Sequence, residues 1–347
     1  MVTLGVDAHK RTHTIVVVDE AGRELGQRTV VATSAGHLEA LGWAEQWPDR
    51  RWAVEDCANL TRRLKIDLLI SGEAVTRVPT KMMARVRRSA RERGKSDPID
   101  ARAVALAALR QPDLPVARLD GPAREIRLLV DHREDLVAER TRVINRLRWH
   151  LHELMPGSEP APRSLDRKPT LERLAACLAG DDRPVARLAS LLVRRLAPMN
   201  SEIDELERQI SRLVADLAPS LLSLAGCGPL TAAKLIGEVA GVDRFRSAAA
   251  FAMHNGTAPI PVWSGNTERF RLNRGGNRQI NAALHRIAIT QLRISGPGQN
   301  YVARRQADGH TKREALRSLR RHISDEVYRR LRIDQALSSQ SPLAVAA

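Results

Sequence analysis

The sequence predicts a mixed α/β region at the N-terminus followed by a mostly helical remainder. Three observations carry that reading. Short apolar runs separated by turn signals fill residues 1–111, leucines at helical spacing dominate 123–217, and a glycine-bounded helical pair opens near residue 219. At 347 residues the chain can bury two modest cores, and we divide it at 1–122, 123–218 and 219–347.

In chain order, Leu4 to Val6, Thr14 to Val18 and Thr29 to Val31 read as apolar strands, with Asp19-Glu20-Ala21-Gly22 as the hairpin turn. A helix from about Ala35 to Trp47 follows, then the strand Trp52-Ala53-Val54 ending at Glu55, a helix from Asn59 to Ile70 and a short strand Ala74 to Val78. The segment from Lys81 to Lys95 is basic, with Arg85, Arg87, Arg88, Arg91 and Arg93, and runs into the helix that begins Ser96-Asp97-Pro98-Ile99-Asp100-Ala101. Such a run is either a solvated face or a phosphate-holding one.

Beyond residue 123, Leu136, Val143, Leu147, Leu151 and Leu154 repeat at helical spacing until Pro156 to Pro169 break the pattern. Ile203, Leu206, Ile210, Leu213 and Leu217 then alternate by three and four, the spacing of an a/d seam. Two long amphipathic helices joined by a proline-rich link predict an antiparallel coiled-coil hairpin that packs internally or against a second subunit. Arg140, Arg142, Arg146 and Arg148 on its first arm also suit contact with nucleic acid. The stretch Leu221 to Ile236 reads as helix, Gly226-Cys227-Gly228 turn, helix, a helix-hairpin-helix-like unit whose backbone N–H groups can hold a phosphate. Downstream, Asn255 to Asn266 reads as a Gly-, Pro- and Ser-rich loop holding Ser264, bordered by Arg269, Arg271, Arg274 and Arg278 before a helix from about Gln279. A serine hydroxyl is a poor nucleophile until a base or metal activates it, and no neighbouring His or Lys does so here.

Four carboxylates stand out in the first third. Asp7 and Glu55 end apolar strands, and Asp97 and Asp100 open a helix. Hard cations such as Mg²⁺, or Mn²⁺, take oxygen ligands, so acids gathered on rigid elements suit metal-dependent phosphodiester chemistry. Each acid also fits an ordinary role: Asp7 as a turn residue, Asp97 as an N-cap before Pro98, and Glu55-Asp56 as solvated charge. Their order is the informative part. A strand with Asp, two strands joined by tight turns, a helix, a strand with Glu and a later acidic helix form the pattern of an RNase H-like fold.

Composition points to a nucleic-acid partner independently. The net charge of +16 and pI near 10.9 attract polyphosphate. Most of the charge is Arg, whose planar fork suits phosphate and guanine, although a GC-rich genome also yields an Arg- and Ala-rich chain. Aromatics make up only 3% of residues, which argues against a stacking platform and for recognition by charge and shape. Cys57, Cys177 and Cys227 form neither a disulfide framework nor a zinc knuckle. Without a leader-like N-terminus or an apolar stretch near 18 residues, a soluble, cytoplasmic, nucleoid-associated protein with no membrane partner is expected.

Taken together, Gly5-Val6-Asp7-Ala8-His9-Lys10, Glu55, Lys95-Ser96-Asp97-Pro98-Ile99-Asp100-Ala101, the Leu224 to Leu235 hairpin and the Gly256-x-x-Pro259, Ser264-Gly265 and Gly276-Asn277-Arg278 block resemble the DEDD-type insertion-sequence transposases. These are recombinases guided by a bridge RNA. The resemblance runs from Met1 to about Ile294. It implies a RuvC-like N-terminal domain whose Asp7, Glu55, Asp97 and Asp100 hold Mg²⁺, a coiled-coil connection, and a C-terminal transposase domain carrying the reactive Ser264. It further implies dimers that assemble to a tetramer, with RNA pairing to donor and target DNA. The Trp263-Ser264-Gly265-Asn266 run departs from the Ser-Ser-Gly-Gly that members often carry, and Thr267 stands near the place of a frequent lysine. Two rivals remain on the residues alone: a RuvC-like structure-selective endonuclease that uses water, and a non-enzymatic basic nucleic-acid-binding protein.

Overall fold

A computed structural model describes residues 1–56, 60–89, 96–119, 121–161 and 163–340. The chain divides into two compact units, Met1–Asp120 and Gly121–Ala347.

The first unit contains β1 (Val2–Ala8), β2 (Thr12–Val18), β3 (Glu24–Val31), α1 (Ser34–Ala44), β4 (Arg50–Glu55), α2 (Arg62–Ile70), β5 (Val75–Val78), α3 (Thr80–Ser89) and α4 (Asp97–Arg110). Its sheet runs β3-β2-β1-β4-β5, with β1/β2 and β2/β3 antiparallel and β1/β4 and β4/β5 parallel. The element order expected from the sequence is present. β3 is longer than its apolar end suggested, because as an edge strand it shows most of its side chains to solvent and so lacks a continuous apolar signal.

The central strands are buried on both faces. Leu4, Val6, Ile15, Val17, Trp52 and Val54 pack with Ala40 and Ala44 of α1 and Leu64 and Leu68 of α2. On the opposite face Val16 and Val18 meet Ala101 and Ala105, and Ala53 meets Val104 and Ala108, all from α4. Gly5 makes that second layer possible. A Cβ there would lie 2.2 Å from the Ala101 carbonyl oxygen and 2.5 Å from the Ala105 nitrogen, so only glycine lets α4 lie directly on β1.

The second unit contains α5 (Pro122–Leu154), α6 (Lys168–Leu178), α7 (Pro184–Leu217), α8 (Pro219–Leu222), α9 (Pro229–Val239), α10 (Ala248–Asn255), β6 (Ile260–Ser264), β7 (Thr267–Arg271), α11 (Arg278–Arg293), α12 (Pro297–Ala307) and α13 (Lys312–Gln340). α5 and α7 run antiparallel, as the pairs Arg133–Glu207 and Arg195–Glu139 show. The seam residues Ile203, Leu206 and Ile210 are buried within the chain. At the far end of the hairpin, Leu171, Leu174 and Leu178 of α6 pack on Leu147, Leu151 and Leu196; this helix follows the proline-rich link. At the near end Ile126, Val130, Ile210 and Val214 share one core with α9, α10, α11 and α13.

The loop expected around Ser264 is instead a two-stranded antiparallel ribbon, β6 and β7, joined through Gly265-Asn266. Gly265 has φ of +57°, as a two-residue hairpin turn requires. Proline, serine and arginine in its strands hide the alternation by which a strand is usually recognised. Among the described residues no helix is long and apolar enough to cross a membrane. Cys177 and Cys227 are free, burial pushes the Cys227 thiol up to about 12, and Cys57 lies outside the described residues.

Candidate active site

In the first unit the parallel register Val6↔Val54 sets Asp7 and Glu55 at the next position of adjacent strands. Asp7 lies within β1, paired with Thr14, rather than in a turn. Glu55 is 7% exposed, so it is not solvated charge; its neighbour Asp56 instead receives a two-pronged hydrogen bond from Arg77. The close approach at Gly5 brings the first turn of α4 over this strand end, and with it Asp97 and Asp100. Ser96, not Asp97, occupies the N-cap position, leaving the Asp97 side chain to face His9.

Asp7, Glu55 and Asp100 are each less than 8% exposed, whereas the Asp97 side chain is about half exposed. Burial holds the Asp7 carboxyl above its usual value; His9 opposes that, and the charges of Asp100, Asp97 and Glu55 add to it. Thus all four acids sense one another electrostatically at Asp7. Two basic groups reach in. Arg87 Nη1 donates to Asp100 Oδ1 at 2.7 Å, and His9 Nε2 lies 3.1 Å from Asp7 Oδ2 and 3.3 Å from Asp97 Oδ1. Ligand atoms of Asp7, His9 and Asp97 all lie within 4.8 Å of one another, close enough to share one cation.

His9 is the residue that sequence reasoning missed as a site member. It stands one position beyond β1, and its proximity to Asp97 exists only once α4 is docked. Arg87, expected to meet phosphate, is engaged by Asp100. Arg85 is exposed on α3. The side chain of Arg88, and all of Arg91, fall outside the described residues.

In the second unit Ser264 is exposed at the end of β6, opposite Thr267. Arg269 and Arg271 are exposed along β7, and Arg274 and Arg278 follow before and at the start of α11. The base of the ribbon is tied down by one buried and two half-buried asparagines. Asn255 Nδ2 donates to Ser324 Oγ at 2.8 Å, Asn281 Nδ2 donates to the Asn255 carbonyl at 2.8 Å, and the Asn277 amide donates to the His254 carbonyl at 2.7 Å. Asn277 also caps α11 through Oδ1 and donates to Glu238 at 2.6 Å. Gly276, with φ of +85°, packs so closely on this corner that a Cβ would lie 2.6 Å from the His254 oxygen. Gly226 and Gly228 form the turn between α8 and α9; Gly226 has φ of +83° against Ile287, and Gly228 is the exposed N-cap of α9.

Comparison with known proteins gives a consistent set. Residues 4–156 match a family model described as a transposase, and residues 218–303 match one described as the transposase IS116/IS110/IS902 family. The 44.8 kDa protein of insertion element IS116 from Streptomyces clavuligerus is 27% identical, over 98% of this chain and 96% of its own. The 42 kDa protein of insertion element IS900 from Mycobacterium paratuberculosis is 26% identical, over 94% of this chain and 95% of its own. The 43.6 kDa protein of insertion element IS110 from Streptomyces coelicolor is 29% identical, over 72% and 74% respectively. Among solved structures, T. thermophilus RuvC in complex with a Holliday junction substrate is similar over 34% of this chain and 99% of its own, at 15% identity and a TM-score of 0.27.

Proposed function

This chain belongs to the IS110/IS116 family of insertion-element transposases, DNA-cutting and -rejoining enzymes, and from that premise we propose how its residues divide the chemistry. The first unit is an RNase H-like, RuvC-like domain whose Asp7, Glu55, Asp97 and Asp100 hold Mg²⁺ or Mn²⁺, and Ser264 is the nucleophile. A bridge RNA pairs with donor and target DNA, and dimers of the chain assemble to a tetramer.

The observation that carries the metal reading is the burial of Asp7, Glu55 and Asp100 among like charges. Burying carboxylates side by side is costly unless a cation compensates them, and one arginine and one histidine are the basic groups described here. An all-oxygen donor set fits Mg²⁺; His9, if it joins, favours Mn²⁺. The cation's contribution there is to polarise the scissile phosphate and offset charge as the bond changes.

The chain's own residues do the rest. Arg269 and Arg271 hold the phosphate backbone beside Ser264, whose Oγ forms a bond to phosphorus as the bond to the leaving deoxyribose oxygen breaks. The Oγ proton is released, and the leaving oxygen takes one up. One phosphodiester becomes one phosphoserine ester, so reversal with another strand's hydroxyl rejoins DNA without ATP. Arg87 holds Asp100 in place, and Gly226, Gly228, Arg85, Arg274 and Arg278 contact the backbone without reading sequence.

The decisive experiment traps the covalent adduct on a nicked suicide substrate. Ser264→Ala is expected to retain RNA and DNA binding yet yield no adduct on a denaturing gel, and Asp7→Asn to bind but not cut. Cleavage undiminished in Ser264→Ala supports the water-using endonuclease instead, and full activity of Asp7→Asn with Mg²⁺ removes the metal site.

A further inference from the structure

The β6–β7 register sorts the ribbon's side chains onto two chemically different faces. Directly paired residues of an antiparallel ladder share a face, and successive residues alternate. Ser264 and Thr267 therefore lie on the same face as Val262 and Arg269, and Ile260 and Arg271. The other face carries Pro261 with Phe270 and Trp263 with Glu268. Trp263 and Phe270 occupy diagonal positions there and remain 67% and 64% exposed. The other two phenylalanines, Phe245 and Phe251, are buried, and among the described residues the one other Phe, Trp or Tyr this exposed is Trp149 on α5. Composition alone argues against a stacking platform, yet the ribbon sets two exposed rings on one face.

We propose that the ribbon is a two-faced pin that enters DNA where its strands separate. On the serine face Arg269 and Arg271 follow one strand's phosphates. On the opposite face Trp263 and Phe270 stack on the base exposed when its pair opens. Three observations favour DNA over a protein partner for the aromatic face. The ribbon's other face is arginine-lined, Arg274 and Arg278 stand at its base, and the whole chain is strongly basic. A pin must also be stiffly mounted. The buried Asn255–Ser324 hydrogen bond, the half-buried Asn281–Asn255 one and the Asn277–Glu238 contact anchor both of its ends. The strand on the serine face is taken to be the one attacked, which rests on the Ser264 reading above; the stacking itself does not.

The test uses the full chain and a synthetic forked DNA carrying 2-aminopurine as its first unpaired base, compared with the same sequence fully paired. Wild type is expected to prefer the fork and to quench the 2-aminopurine. Trp263→Ala with Phe270→Ala is expected to lose the quench and to bind the fork roughly 5- to 150-fold more weakly, the loss of one or so stacked base, with duplex affinity retained. Trp263→Phe should restore most of the quench, because a ring is kept. Ser264→Ala should leave the fork signal intact, so a failure of the nucleophile reading shows in the adduct assay and not here. Unchanged fork binding and quench in the double variant overturns the pin. So does an equal loss on fork and duplex, or a change in assembly mass by light scattering, which would assign the aromatic face to a second copy of the chain.

Discussion

Replacing Gly5 by alanine tests the link between packing and chemistry most directly. The added methyl would sit 2.2 Å from the Ala101 carbonyl oxygen and 2.5 Å from the Ala105 nitrogen. Both obstacles are backbone atoms of α4, so no flexible side chain can swing aside. Restoring ordinary van der Waals separation requires the helix to retreat from β1 by about 1 Å, and overpacking of this kind costs about 1–3 kcal/mol. The first turn of the retreating helix carries Asp97 and Asp100, so the carboxylate cluster opens on one side. A misplacement of about 1 Å in a catalytic group lowers rate by on the order of 10²-fold. The assay pairs urea unfolding followed by circular dichroism with Mg²⁺-dependent strand transfer between donor and target DNA. An unchanged unfolding midpoint would refute the packing step, and a lowered midpoint with an unchanged rate would refute the coupling of that seam to the site.

Other expectations follow from the same structure. Arg85→Ala, which removes an exposed basic group, should flatten the slope of log affinity against log salt by roughly 0.7 to 0.9. Arg87→Ala should raise the Mg²⁺ concentration needed for half-maximal cleavage, because Asp100 loses the 2.7 Å contact that holds it in place, and a metal titration checks it. His13, buried in β2 and stacked on His37, has its pKa lowered to about 4, chiefly by burial. Its folded value lies below its unfolded one, so its contribution is complete above pH 6.5 and is lost as pH falls from there through about 4; the loss is about 3 kcal/mol. His13→Leu should accordingly flatten the fall in urea midpoint between those pH values, and an identical profile in both proteins would count against it.

Several features of the fold could be read directly from residues. Short apolar runs with Asp-Glu-Ala-Gly between them specify a hairpin before any tertiary contact forms, because run composition and turn chemistry are local properties. The acids at Asp7 and Glu55 were visible for the same reason: each ends an apolar run. The hairpin helices α5 and α7 announced themselves through leucine spacing.

What escaped the sequence depended on elements meeting in space. β3 looked shorter than it is because an edge strand needs hydrophobic side chains on one face only. The role of Gly5 was invisible as well, since a glycine inside a strand has many causes and only α4 lying on it selects one. His9 joins the carboxylates because that same docking carries Asp97 to within 3.3 Å of its ring, a distance with no counterpart along the chain. Ser264 could be named as a residue, but its position on an arginine-lined ribbon face with two aromatics behind it is a consequence of pairing register. Register is set jointly by the Gly265-Asn266 turn and by the strand opposite, so the two sides of the ribbon become distinct only after both strands are in place.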